Sequence, residues 1–207
     1  MMLMGRQPTR PTIEVKRSRA VTEPTNSVAV LVSGGIDSAA LLAFYLSQRF
    51  SVRALFVDFG QPAARQESRA AKAVCKHYGV DLSIMAVKSG ATFSSGEITG
   101  RNAFLVFSAL LVGGARPGMI AMGIHEGPPY YDCSEGFLKS IQTVVDGYAA
   151  GKIKVAAPFL NWGKQVIWEF CKEVKVPVES TYSCEKGSVP PCGKCLSCMD
   201  REALDAM

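Results

Sequence analysis

The chain has 207 residues, 48% of them hydrophobic, and a formal net charge of +5. That length supports one domain with a full-sized core and a small appendage. Residues 1–26 carry five basic and two acidic side chains, so the remaining residues have a net charge of only +2. Because so small a charge creates no broad basic surface, the composition disfavours nucleic acid as a partner.

The first 26 residues contain three prolines and few apolar side chains. We therefore expect residues 1–26 to form a disordered basic arm. No apolar signal segment follows the N-terminus, and the longest apolar run, 103–115, is shorter than the about 20 residues that a membrane span needs. We expect a cytoplasmic protein without a membrane partner, in which the 103–115 run forms a buried helix.

Short apolar runs alternate with helical patterns along the rest of the chain, and short links join them. Such alternation is typical of an α/β fold with a parallel sheet and helices on both of its faces. In chain order, the sequence predicts strand 28–32, helix 38–48, strand 52–57, helix 62–77, strand 82–87, helix 101–113, strand 119–124, helix 134–149, strand 153–156 and helix 163–174.

The segment 33–38, SGGIDS, lies where the first predicted strand ends and the first predicted helix begins. Ligands of open α/β sheets bind at this end of the strands. Its two glycines allow the backbone to approach a ligand closely, and the amides at a helix start attract phosphate. Its two serines add hydroxyl donors, whereas Asp37 is suited to capping the helix or to holding a Mg²⁺ on the phosphates.

In this strand–loop–helix context the hexapeptide resembles the PP-loop of the N-type ATP pyrophosphatases, and it lacks the Gly-Lys-Ser/Thr of a Walker loop. The resemblance implies that ATP is cleaved between its α and β phosphates. AMP is then attached to a carboxylate or amide oxygen, from which a nucleophile displaces it. The ATP-binding residues implied in this segment are Ser33, Gly34, Gly35, Asp37 and Ser38.

Four of the seven cysteines lie within 15 residues, in the pattern Cys184-x7-Cys192-x2-Cys195-x2-Cys198. Four thiolates satisfy tetrahedral Zn²⁺ and leave no open position, which is typical of a structural site. An iron–sulfur cluster is the rival interpretation because thiolates serve it equally well, but the last two cysteines lack the usual ferredoxin spacing. We predict a PP-loop domain at 27–180 and a zinc-binding C-terminal segment at 181–207.

Further sequence blocks are VDFGQ at 57–61, GRN at 100–102, DC followed by EGF at 132–137, APFLNWGK at 157–164, and SCEKG with CGKCLSC at 183–198. In this order they resemble one PP-loop family, the 7-cyano-7-deazaguanine synthases of queuosine precursor biosynthesis, and the resemblance runs from Val28 to about Leu204. It implies a Rossmann-like fold of the adenine nucleotide alpha hydrolase-like type that binds ATP and a structural zinc, in addition to the Mg²⁺ that Asp37 could hold.

The resemblance also implies a reaction in which 7-carboxy-7-deazaguanine is activated by ATP and converted with ammonia to the nitrile. Arg101, at a helix start, can pair with a phosphate through its forked guanidinium. Lys164 can hold pyrophosphate or the negative charge that develops there. We predict that Asp37, Lys164 and Arg101 are catalytic, and that Arg101, Gln61 and Gly123 also bind ATP.

The predicted substrate residues are Asp132, Tyr130 and Tyr131. A guanine-like ring presents N–H donors along one edge, and the Asp132 carboxylate offers only acceptors. The two tyrosines could stack on a flat heterocycle. His125 follows the fourth strand at the ligand end of the sheet and is a further candidate, although histidines are more often packed or hydrogen-bonded than basic catalysts.

Segments 88–99 and 125–131 are shorter than is usual in this family, and Ser134 stands where an arginine commonly follows the Asp-Cys pair. Since these departures fall around the substrate, the amine donor stays open between ammonia and a larger amine, such as one on a protein. A PP-loop sulfurtransferase that modifies tRNA is another alternative, and it would need a persulfide-carrying cysteine such as Cys133. The sequence also leaves a homodimer open.

Overall fold

The computed structural model describes residues 26–88, 90–93, 96–113 and 118–206, so nearly all of the predicted basic arm lies outside the described residues. Each of the ten predicted elements is present, and short 3-10 turns occur at Tyr131–Cys133 and Val178–Ser180. The strands and helices are β1 Ser27–Leu31, α1 Ile36–Ser47, β2 Ser51–Asp58, α2 Ala64–Tyr78, β3 Leu82–Ala86, α3 Arg101–Gly113, β4 Gly118–Ala121, α4 Glu135–Ala149, β5 Ile153–Ala156, α5 Lys164–Glu173 and α6 Leu196–Asp205.

These strands form one parallel sheet in the order β3-β2-β1-β4-β5. The predicted α/β class is therefore confirmed. The chain builds outward from β1 to β3 on one side and then crosses to β4 and β5 on the other. Because the strand order reverses between β1 and β4, a crevice opens beyond the carboxyl ends of these two strands, and this is where α/β folds bind ligands.

Apolar residues cover both faces of the sheet. On β1, Val28 and Val30 pack into the core beneath α1, α2 and α5, whereas Leu31 packs into the core beneath α3 and α4. Helices cover both faces of a parallel sheet, so the side chains on both sides of each strand are buried. The hydrophobic runs at β1 and β2 follow from this arrangement, and Phe56 on β2 is 1% exposed.

Two boundary shifts and one additional helix differ from the prediction in ways that matter for the cleft. Helix α1 begins at Ile36, so Ser38 lies inside its first turn instead of at its start. Strand β4 ends at Ala121, three residues early, because its partner β5 ends at Ala156 directly opposite. Helix α6 was not predicted, since its buried face consists only of Cys198 and Leu204 and gives too little apolar periodicity.

The prediction of a buried helix at 103–115 is correct for only one face of α3. Val106 is fully buried, whereas Leu111 is 74% exposed. Helix α3 covers the sheet with a single side, so the apolar residues on its other side face outward. Among the residues that the structure describes, no helix is both long and apolar enough to cross a membrane.

Gly34 brings the loop after β1 into direct contact with α2. Its φ of +79° lies in the left-handed region that favours glycine. A Cβ at this position would lie 2.5 Å from the Glu67 carbonyl oxygen and 2.9 Å from the Ala70 Cβ. The loop therefore has room for no side chain here, and α2 supports it from within the fold.

We expect Gly34→Ala to destabilise the protein by about 2–5 kcal/mol, because the added methyl group suffers both backbone strain and overlap with α2. Gly79→Ala is the matched control. Gly79 has a similar φ of +65°, yet a Cβ there would meet nothing within 4 Å. It should cost only about 1–2 kcal/mol. Urea unfolding measures both, and equal losses would show that α2 does not constrain the loop.

Candidate active site

A cleft of about 350 Å³ opens at the crevice between β1 and β4. Residues from the loop after β1, the loop after β2, the start of α3 and the segment after β4 line it. Eight of the residues predicted to bind ATP or to act in catalysis lie along this cleft: Ser33, Gly35, Asp37, Ser38, Gln61, Arg101, Gly123 and Lys164. The fold thus brings together residues that are far apart in the sequence.

The loop after β1 leaves the start of α1 open. No described side chain caps this helix, whose N-cap residue is Gly35, so the first-turn amides lack partners within the helix. The Ser38 hydroxyl donates to the Gly35 carbonyl at 2.9 Å and lies 3.4 Å from the Ser33 hydroxyl. Open amides at a helix start together with two hydroxyls are suited to an anion such as phosphate.

Lys164 lies beside this open helix start and pairs with Asp37. Its ammonium donates to both carboxylate oxygens of Asp37, at 2.9 and 2.7 Å. The two side chains are only about a quarter exposed, at 27% and 25%, so this pair is better shielded than a surface ion pair. Asp37 therefore holds Lys164 in this structure and does not cap α1.

His125 completes a chain of three polar groups. Its Nδ1 lies 2.6 Å from the Glu126 carbonyl oxygen, and since that oxygen can only accept, Nδ1 carries the proton. The Nε2 of the ring lies 3.5 Å from the Lys164 ammonium and 3.9 Å from the Asp37 carboxylate. The sequence placed His125 at this edge, and the structure assigns it the position beside Lys164.

Gly123 and Gln61 line the cleft in different ways. A Cβ on Gly123 would lie 3.3 Å from the backbone of Asp37, so glycine lets the segment after β4 run close to α1. The Gln61 side chain is used within the protein: it accepts from the Phe59 amide at 2.9 Å and donates to the Glu67 carboxylate at 2.9 Å. It thereby braces the loop after β2.

Glu67 is a cleft residue that the sequence analysis missed. Burial raises the pKa of its carboxyl above the usual range, while the hydrogen bond from Gln61 and the charge of Arg101 act in the opposite direction. It lies on α2, and its apolar neighbours predicted only that helix. No sequence signal separated it from a solvated glutamate.

Asp132 lies behind the start of α3 and not along the cleft. It is 8% exposed. One carboxylate oxygen accepts from the backbone amide of Asn102 at 3.3 Å, and the side-chain amide of Asn102 donates to the backbone carbonyl of Asp132 at 2.9 Å. Its neighbour Cys133 does line the cleft. In this structure Asp132 braces α3, and its assignment as a reader of the guanine edge stays a prediction.

The two tyrosines also lie outside the residues that line the cleft. Tyr131 is 64% exposed, and its ring packs edge-on against Phe137 on α4. Its hydroxyl donates to Ser140 at 3.1 Å. Stacking of Tyr130 or Tyr131 on a substrate ring therefore stays a prediction.

The four C-terminal cysteines come together as predicted. Their sulfurs all lie within 4.8 Å of one another, and three of the four residues are buried. Burial by itself would raise the pKa of Cys184, but hydrogen bonds from the Ser188 hydroxyl and nearby backbone amides bring it down to about 5. Such donors favour the thiolate form that binds metal. The cluster could hold a metal ion.

The cysteine segment also forms one wall of the cleft, which the sequence did not reveal. Cys195 is the N-cap of α6, and α6 lies along the cleft. The Glu185 carboxylate accepts from the Ser197 hydroxyl at 2.8 Å and from its amide at 3.3 Å, and so caps α6. The residues that this wall contributes are Tyr182, Ser183, Glu185, Ser197, Asp200, Arg201 and Leu204.

Among solved structures, the chain resembles the U34-tRNA thiolase NcsA from Methanococcus maripaludis with its 4Fe-4S cluster. The TM-score is 0.48 and the sequence identity 16%, over 91% of this chain and 67% of that chain. A likeness at this level carries no information about reaction or metal.

The sequence comparisons are far more specific. The model of the family described as "Queuosine biosynthesis protein QueC" matches residues 27–103 and 88–205. A 7-cyano-7-deazaguanine synthase from Sulfurihydrogenibium sp. is 31% identical over 85% of this chain and 92% of its own length. The enzyme of the same name from Aquifex aeolicus is 30% identical over 86% of this chain and 95% of its own length. The chain therefore belongs to the QueC family of queuosine biosynthesis proteins.

Proposed function

We propose that this protein uses ATP to activate the carboxylate of 7-carboxy-7-deazaguanine, releasing pyrophosphate, and converts the activated acid to 7-cyano-7-deazaguanine. The proposal rests on one arrangement: the Lys164 ammonium, held by Asp37 beside the open start of α1. A phosphate at that helix start would meet unpaired amides on one side and a fixed positive charge on the other. The names of the family's relatives supply the substrate class.

The first chemical step forms a bond from a substrate carboxylate oxygen to the α-phosphorus and breaks the bond to the β-phosphate oxygen. The leaving pyrophosphate gains negative charge, which Lys164 and Arg101 are placed along the cleft to offset. A fixed ammonium is more effective than a mobile one, because no solvent or side chain has to reorganise during the reaction. Asp37 is then a positioning residue for Lys164.

The second step is attack of an amine on the acyl carbon, with AMP as the leaving group. Ammonia gives the amide, and a second activation by ATP at the amide oxygen would allow loss of that oxygen with AMP to give the nitrile. A larger amine would stop at the substituted amide. The relatives are named for a nitrile product, and this favours ammonia as the attacking amine. An amine carried by a protein would instead give a substituted amide from the same activated acid.

A Mg²⁺ ion, when bound, would supply further neutralisation of the phosphate charge. Asp37, in the first turn of α1, is the carboxylate of this chain that we assign to it. Both of its oxygens contact Lys164, and a carboxylate with four lone-pair sites can accept from an ammonium and ligate a cation together. The residues present therefore fit the ion.

For the cysteine cluster we propose zinc. A tetrahedral Zn²⁺ with Zn–S bonds of about 2.3 Å places its four sulfurs about 3.8 Å apart. The four sulfurs here all lie within 4.8 Å of one another, and Cys192 and Cys198 are separated by 3.9 Å. A cluster of four irons inserted between the thiolates would need them considerably further apart. With four protein ligands the ion has no position left for substrate, so its role is structural.

The chemistry of Cys133 disfavours the alternative of a tRNA-modifying sulfurtransferase. That reaction needs a thiolate near ATP, and Cys133 lines the cleft. Burial and the nearby Asp132 carboxylate raise the pKa of Cys133 to about 11, which disfavours the thiolate at neutral pH. A carboxylate activated by ATP needs no such nucleophile.

Incubation with ATP, Mg²⁺ and 7-carboxy-7-deazaguanine should release pyrophosphate, and added ammonia should displace AMP and yield the nitrile by mass spectrometry. 7-Deazaguanine, which lacks the carboxylate, is the control and should give no AMP. AMP release without nitrile, together with a mass added to another amine, would identify the alternative ligase. Release of ADP and phosphate would contradict the proposed activation chemistry.

Lys164→Ala should lower kcat/KM by at least 10²-fold, because it removes the fixed charge beside the phosphate site. Asp37→Ala should have a comparable effect, since it frees the Lys164 side chain. Both residues are partly exposed, so the melting temperature should change little. The control is Lys172→Ala on the exposed face of the same helix α5. Wild-type activity in Lys164→Ala would overturn its assignment.

The freshly purified protein should contain one zinc per chain by elemental analysis. Cys192→Ser should reduce the zinc content and lower the melting temperature by roughly 10 °C, because binding energy of a structural metal is also folding energy. Cys133→Ser, which lies outside the cluster, should retain its zinc. Iron with a visible absorption band, instead of zinc, would show that the cluster holds iron and sulfide.

A further inference from the structure

The C-terminal cysteine segment touches two of the loops that form the ATP cleft. The Tyr182 amide donates to the Gly34 carbonyl in the loop after β1, at 2.9 Å. Gly187 abuts the Pro62 carbonyl and the Ala63 backbone, in the loop after β2. Tyr182 precedes Cys184 in the sequence and Gly187 follows it, and Cys184 itself is 1% exposed. The segment 182–188 therefore joins the two loops through a buried metal-ligating residue.

The Tyr182 contact fixes the direction of an amide at the phosphate site. In a planar trans peptide the carbonyl and the following N–H point in opposite directions. Because the Gly34 carbonyl points to Tyr182, the Gly35 N–H points away from it, and it donates to the Ser33 hydroxyl at 3.3 Å inside the cleft. A change at Tyr182 would turn this peptide and with it the contact between the Gly35 amide and Ser33, two residues that line the cleft.

The segment is itself held rigidly by the cluster. The Tyr182 hydroxyl donates to the Ser188 carbonyl at 2.7 Å, and the Ser188 hydroxyl lies 3.5 Å from the Cys184 sulfur. The Gly187 amide donates to the Cys184 carbonyl at 3.2 Å. The turn 184–187 is thus closed upon its own ligand residue. Any displacement of Cys184 would move both Tyr182 and Gly187.

We infer that Tyr182 and Gly187 are positioning residues of the nucleotide site, through which the cysteine cluster sets the geometry of the phosphate loop. Tyr182 acts through Gly34, and Gly187 acts through Pro62 and Ala63. The cluster is then a part of the ATP-binding apparatus and does more than stabilise the C-terminus. This inference rests on the proposed function, because it assumes that the phosphates of ATP occupy the loop after β1.

The chain offers a matched pair of glycines to test this. Gly187 and Gly193 both lie in the cysteine segment and have left-handed φ values of +68° and +66°. A Cβ on Gly187 would collide with the Pro62 carbonyl, whereas a Cβ on Gly193 would meet nothing within 4 Å. Alanine at either position carries the same backbone strain. Only alanine at Gly187 should push the segment away from the loop after β2.

The experiment is calorimetric titration of the metal-loaded protein with ATP, together with elemental analysis of each variant. We expect Gly187→Ala to bind ATP at least tenfold more weakly than the wild type, and Gly193→Ala to bind it within twofold of the wild type. Both should retain one metal per chain. In steady-state assays Gly187→Ala should raise KM for ATP and leave KM for the carboxylate substrate unchanged.

A second variant decides the matter if Gly187→Ala fails to fold or loses its metal. Tyr182→Phe removes the hydrogen bonds of its hydroxyl to the Ser188 carbonyl and to the Cys184 sulfur, and it should weaken ATP binding by about three- to tenfold at unchanged metal content. Wild-type affinity for ATP in folded, metal-loaded Gly187→Ala, or in Tyr182→Phe where the first variant fails, would overturn the inference. Absence of ATP binding by the wild-type protein would instead overturn the proposed function.

Discussion

The cleft depends on a helix start that must stay unpaired and yet stay in place. A first helical turn exposes amides that most proteins satisfy with a capping side chain, and here no described side chain caps α1. The loop that leads into these amides is held in place by contacts to Gly34. Helix α2 packs against Gly34 at a distance that excludes a methyl group, and the Tyr182 amide fixes the Gly34 carbonyl. The donors are thereby free for a ligand without being free to move.

The cationic side chains at the cleft are likewise held in place by neighbouring groups. An unpaired ammonium is costly in a partly buried site, and both carboxylate oxygens of Asp37 accept from Lys164, with the His125 ring beside the pair. Arg101 approaches from the start of α3 on a different element. The cationic groups thus reach the cleft from separate helices, each anchored in the sheet. An anion can be bound from several sides while the loop after β1 contributes only backbone and hydroxyl groups.

The C-terminal segment links stability to the site. A cluster of four thiolates is the part of the chain that a bound metal would organise. Helix α6 begins at one of its cysteines and contributes Leu204 to the main core, while Asp200 and Arg201 face the cleft. Arg201 also donates to Thr181 at 3.0 Å and so ties α6 to the segment that leads into the cysteines. Core packing, the cysteine cluster and the cleft wall therefore belong to one stretch of chain.

The sequence by itself determined the alternation of strands and helices, the parallel sheet, the glycine-rich loop after β1 and the grouping of four cysteines. Each of these has a local signal: apolar runs of strand length, two glycines at a strand–helix junction, and thiolates at metal-binding spacing. The tertiary structure decided how distant residues combine. It paired Lys164 with Asp37, 127 positions apart, turned Asp132 towards the Asn102 amide, and brought Tyr182 and Gly187 onto the cleft loops. These contacts arise because the chain crosses the sheet to place β4 beside β1, and because backbone segments approach each other closely. Neither effect can be recognised from residue type or from the periodicity of apolar residues.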